Sequence, residues 1–77
     1  MALSEEEKVR RDAEAIARKV DNGVEEGDLF RVFDSDGRNP AQLANAVRTL
    51  VGSSWEVTVR GSSIELLHHT VKQEGDR

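Results

Sequence analysis

Leu29-Phe30-Arg31-Val32-Phe33 is the stretch on which the fold turns. It is short, aromatic and β-branched, and Asp34-Ser35-Asp36-Gly37 closes it with turn-forming residues, which together read as a strand followed by a turn. Leu29, Val32 and Phe33 also stand at i, i+3 and i+4, the spacing of one helical face, and a short apolar run carries both periods at once. The extended reading is taken here; a short helix over Asp28–Phe33 is the alternative.

On the N-terminal side, Ser4-Glu5-Glu6-Glu7 has the form of a capping box. The Ser4 hydroxyl is placed to accept from the Glu7 backbone N–H, and the acidic first turn suits the positive end of a helix dipole. Val9, Ala13, Ile16, Ala17 and Val20 follow as one apolar stripe. Glu6→Arg10, Glu7→Arg11 and Glu14→Arg18 lie four apart with the acid first, an arrangement that supports a helix by about 0.2–0.5 kcal/mol per pair. Asn22-Gly23 is expected to end this first helix near Asp21.

On the C-terminal side, Asn39-Pro40-Ala41-Gln42 starts a second helix: Asn39 caps, Pro40 suits the first helical position and Gln42 completes the pattern. The helix is expected over Pro40–Val51, with Leu43, Ala46, Val47, Leu50 and Val51 inward and Gly52 as its stop. Trp55, Val57 and Val59 then alternate with polar residues, as do Ile64 and Leu66. Gly61-Ser62 or Gly61-Ser62-Ser63 supplies a hairpin turn between these two strands. The order α-β-α-β-β gives the expected fold class: a two-layer α+β domain, two helices packed on one face of a three-stranded sheet. Glu56, Thr58, Arg60, Glu65 and His69 would then form the water-facing side.

The 77 residues allow one domain, with residues 72–77 expected as a frayed polar tail. The net charge of −4 sits entirely in residues 1–28, which hold five basic and nine acidic side chains, while residues 29–77 carry six of each. Such a chain is not drawn to nucleic acid or to anionic membrane by its overall field. No apolar run approaches the ~18–20 residues of a membrane span, and the acidic start lacks the basic and apolar regions of a signal peptide. With no cysteine, thiolate metal sites, disulfides and Cys nucleophiles are removed together, and a cytoplasmic protein is expected.

Candidate chemistry is sparse. His68-His69 would point to opposite faces of a strand, so the pair is expected to be one half-buried and one exposed histidine, not a chelating couple. Asp34 and Asp36 resemble the third and fifth ligands of a calcium loop, but the twelfth position is then Leu43 where a bidentate Glu is required. Ser53, Ser54, Ser62 and Ser63 flank turns, and the single glycines form no phosphate loop. No metal, no cofactor and no enzymatic activity are therefore expected.

Two functional readings follow. In the first, the chain is a protein-interaction module, a monomer or homodimer that engages another protein through the open sheet face or an edge strand. Its locally consistent signals are equally those of an engineered fold with no evolved partner. In the second, a helix over Asp28–Phe33 turns the chain into a winged helix with Pro40–Val51 as recognition helix. Gln42, Asn45, Arg48 and Thr49 would then face base edges, and Arg38 and Arg60 phosphates. The acidic Asp34–Asn39 connection and the scattered basic residues weigh against it.

Overall fold

A computed structural model describes residues 3–70; the tail expected at 72–77 lies outside them. The elements are α1 (Glu5–Val24), β1 (Phe30–Asp34), α2 (Pro40–Val51), a 3-10 turn (Gly52–Ser54), β2 (Trp55–Arg60) and β3 (Ser63–His68). The deciding stretch is extended, so the helix that the winged-helix reading requires over Asp28–Phe33 is absent. The chain is a two-layer α+β domain.

β3, the last of the described strands, lies in the middle of the sheet, and the order is β1-β3-β2 with both pairings antiparallel. β1 and β2 thus run the same way at opposite edges, joined through α2. Of the two hairpin connections the residues allow, the two-residue one forms, with Arg60 facing Ser63 and Gly61 at φ 57°. On the inner face, Trp55, Val57, Ile64 and Leu66 join Val9, Ala13, Ile16 and Val20 of α1 and Leu43, Ala44 and Val47 of α2 in one core. α1 packs along α2, and α2 lies over β2.

Caps form where the residue types ask for them. Ser4 Oγ accepts from the Glu7 N–H at 3.2 Å, and Asn39 Oδ1 accepts from the Gln42 N–H at 3.1 Å. The foreseen Glu6–Arg10, Glu7–Arg11 and Glu14–Arg18 pairs do not close; ion pairs among the described residues include Arg31–Asp28, Arg38–Asp12 and Arg60–Glu65. Exposed long side chains gain little by giving up their freedom for such contacts.

Two boundaries differ from expectation. α1 runs through Asn22-Gly23 to Val24. Gly23 is buried inside the helix, and a Cβ there would stand 3.0 Å from the Asp28 Cβ. Glycine thus permits a close approach, while the left-handed residue after the helix is Gly27 at φ 90°. In α2, Ala44 is fully buried whereas Leu50 is 47% exposed. The inward face is therefore turned toward Leu43, Ala44 and Val47, and Leu50 on the last turn looks to solvent.

Candidate functional site: the outer face and free edge of the first strand

The side of the sheet away from the helices carries Phe30, Val32 and Asp34 of β1, Ser63, Glu65 and Leu67 of β3, and Glu56, Thr58 and Arg60 of β2. These are the cross-strand sets Phe30–Leu67–Glu56, Val32–Glu65–Thr58 and Asp34–Ser63–Arg60. The expectation for this face was polar throughout, and β2 meets it. β1 does not: Phe30 is 55% and Val32 50% exposed, with the half-buried Leu67 beside Phe30. His69 is not part of the face, because β3 ends at His68.

Backbone geometry makes the same residues available in a second way. The His68 N–H donates to the Leu29 carbonyl and the Ser35 N–H to the Ser62 carbonyl, each at 2.8 Å. Hydrogen bonding in an antiparallel pair alternates residue by residue. Leu29, Arg31, Phe33 and Ser35 therefore turn their backbone groups toward β3. Phe30, Val32 and Asp34 turn theirs outward, along the rim of the sheet. A second chain laid there meets free amide and carbonyl groups and the exposed side chains of the same three residues.

The opposite rim differs. By the same alternation Trp55, Val57 and Val59 point their backbone groups outward on β2, and the Val57 carbonyl there accepts from Arg48 Nη2 at 3.0 Å. A guanidinium from α2 thus occupies the middle of this rim. Unpaired rims invite added strands, and a covering charge is a common guard against them.

Acidic charge lies at one end of the open rim: Asp34 ends β1, with Asp36 two residues on, while Asp28, before the strand, lies against Gly23 of α1. Asp34 Oδ2 accepts from the Asp36 N–H at 2.8 Å, a local turn bond that Asp at this position commonly makes. Arg31 stands on the inner side, its guanidinium 5.2 Å from the Phe33 ring centre and 4.0 Å from Asp28. A shallow groove of about 290 Å³ continues from the rim toward α1, between Asp12, Lys19, Phe33, Asp34 and Asp36.

The residues assigned to a nucleic-acid surface do not gather into a cationic one. Arg38 Nε donates to Asp12 at 3.0 Å and Arg60 Nε to Glu65 at 3.2 Å. Arg48 is spent on Val57 and on the Asn45 side chain, and Thr49 Oγ1 donates to the Asn45 carbonyl at 3.1 Å. Gln42 and Asn45 line a second groove between α1 and α2, with Glu6 and Arg10 across from them.

His68 is half-buried and His69 exposed, as expected, but the reason given for their separation does not hold. His69 lies past the strand end, so the two imidazoles stack with centres 4.8 Å apart, and Trp55 meets His68 edge-on at 5.1 Å. Among the described residues no group of three or more His, Cys, Asp or Glu side chains is placed to hold a metal ion. The exposed β1 pair is not legible in the residues, since both faces of Leu29–Phe33 carry apolar side chains. Comparison with protein-family models, with curated proteins and with solved structures found no match.

Proposed function

We propose that the chain is a non-enzymatic protein-interaction module that takes an extended partner segment as a fourth strand along β1. One observation carries the reading: Phe30, Val32 and Asp34 present exposed side chains together with backbone groups that, among the described residues, have no partner, on a rim that no side chain of the described helices is bonded to. Main-chain pairing supplies affinity in strand addition, and the alternate side chains supply selectivity. Phe30 and Val32 are the apolar anchors, with Leu67 widening the surface behind them.

Proline substitution tests this cleanly. The Val32 N–H points to solvent, so Val32→Pro removes a donor needed by an incoming strand and spares the ladder to β3, the one setting in which strands tolerate proline. A random peptide library is selected on the immobilised full chain, and the enriched peptides are measured against the variant. Strand-forming peptides that bind the parent chain and not Val32→Pro, with Trp55 fluorescence unchanged in the variant, are the expected result. Peptides that bind both equally place the site elsewhere, and a selection without enrichment leaves a fold with no partner-binding role.

A further inference from the structure

We propose that the segment taken by β1 carries one long basic side chain, lysine or arginine, on its inward side opposite Phe33, where it enters the groove beneath α1. This rests on the strand-addition reading above and names the feature of the partner that the groove selects.

The two layers do not end together at the β1 edge. Helices pack about 8–10 Å apart and strands about 4.7–4.9 Å apart, so two helices side by side are as wide as about four strands. The described sheet has three. α2 lies over β2, and α1 overhangs the opposite edge. There Asp12, Ala15 and Lys19, at i, i+3 and i+7 on one flank of α1, line the groove together with Phe33. A strand added to β1 comes to lie beneath this flank. Its side chains alternate between the two faces: those opposite Phe30, Val32 and Asp34 fall on the outer side, and those opposite Arg31 and Phe33 point inward, under α1.

The two inward positions differ in charge. Opposite Arg31, an incoming side chain meets a guanidinium, which disfavours a second cation. Opposite Phe33 it meets the exposed Ala15 and the half-buried Phe33 ring, and beyond them the acidic end of the groove. Asp12, Asp34 and Asp36 line that groove against a single lining cation, Lys19. Asp12 is bonded to Arg38 at 3.0 Å, whereas Asp34 and Asp36 join no ion pair among the described residues. An aliphatic stem with a cationic head matches this succession of surfaces, and a carboxylate opposes it.

A second copy of this chain does not suit the same place. Its own α1 would arrive at the seam with its β1, and two helices would compete for the overhang that shelters one bare strand.

The test uses the full chain, isotope-labelled, titrated with blocked peptides Ser-Xaa-Val-Thr-Val-Thr and with the reversed sequence, one for each strand direction. Xaa is lysine, norleucine, which has an uncharged aliphatic stem, or glutamate. In the direction that binds, the lysine peptide should shift the amide resonances of Ala15, Lys19 and Phe33 as well as those of Phe30 and Val32. It should bind about threefold tighter than the norleucine peptide, as one exposed charge pair allows, and the glutamate peptide should bind least. Asp36→Asn, at a φ of 57° that asparagine tolerates, should shrink the lysine preference, and Glu26→Gln, beyond the other end of β1, should leave it. Equal loss in both variants would mean attraction to the net charge alone and overturns the proposal. So does equal binding of lysine and norleucine peptides, or a response of Phe30 and Val32 without Ala15 and Lys19; both leave strand addition standing. No response of the β1 amides to any peptide overturns strand addition as well. Dimerisation through β1 without peptide, seen by sedimentation, makes a second copy the occupant and overturns the proposal.

Discussion

Arg48 Nη2 donates to the carbonyl of Val57 at 3.0 Å, so a side chain of α2 satisfies the outward backbone of an edge strand. Replacing Arg48 by alanine returns that carbonyl to water and removes a charge-assisted bond at a partly exposed site. A loss of about 1 kcal/mol is expected from such a bond, read by urea denaturation on the fluorescence of Trp55. The variant should also associate with itself more readily, measured by sedimentation, because the β2 rim is then as open as the β1 rim. A variant that keeps both stability and sedimentation unchanged would show that the guanidinium is not what guards this edge.

Amide hydrogen exchange should alternate along β1. Arg31, Phe33 and Ser35 give their N–H groups to β3 and should exchange slowly. Phe30, Val32 and Asp34 give theirs to solvent and should exchange at rates near those of a loop. Uniform protection across Phe30–Asp34 would mean that the rim is already paired, and the docking site with it.

Much of this architecture is legible in the residues. Both helices begin where Ser4 and Asn39 stand, and Trp55, Val57, Ile64 and Leu66 face inward as their alternation requires. Each of these signals has one clear period. β1 does not: Phe30 and Val32 are apolar, and so are Leu29 and Phe33 on the opposite parity, so alternation cannot choose the buried face. The choice comes from pairing with β3, which sets Phe33 beside Ile64 under the helices and Phe30 beside Leu67 away from them. The candidate site was for that reason foreseen only as a sheet face or an edge, without its residues. Gly23 misled for a related reason, since a glycine that stops a helix and one that admits a neighbour look alike in a string of letters.

Gly23→Ala separates those two roles. Alanine is worth about 1 kcal/mol more than glycine within a helix, so a mere spacer would be stabilised. Here the added Cβ meets the Asp28 Cβ at 3.0 Å. Asp28 has little room to retreat, because its N–H donates to the Gly23 carbonyl at 3.0 Å. Overpacking of this kind costs about 1–3 kcal/mol, so a net loss of about 1 kcal/mol is expected in chemical denaturation. The double variant Gly23→Ala/Asp28→Gly should recover most of it. A single variant more stable than the parent would show that the turn yields.

Leu43 and Leu50 lie on the same helix with opposite fates, 1% and 47% exposed. Leu43→Ala opens a cavity in the core and should cost about 2–5 kcal/mol, a large share of the roughly 5–15 kcal/mol that holds a domain together. Leu50→Ala should stay within about 0.5 kcal/mol of the parent. Comparable losses at both sites, measured by thermal or urea unfolding, would place the buried face of α2 differently.

The central strand is also the last of the three described strands to be synthesised. While a nascent chain is still short of Ser63, Phe30–Asp34 has no neighbour to bond with on either side, and Trp55–Arg60 is in the same position. The sheet therefore cannot be assembled strand by strand as the chain leaves the ribosome; none of these pairings can form until Ser63–His68 is available to both edges.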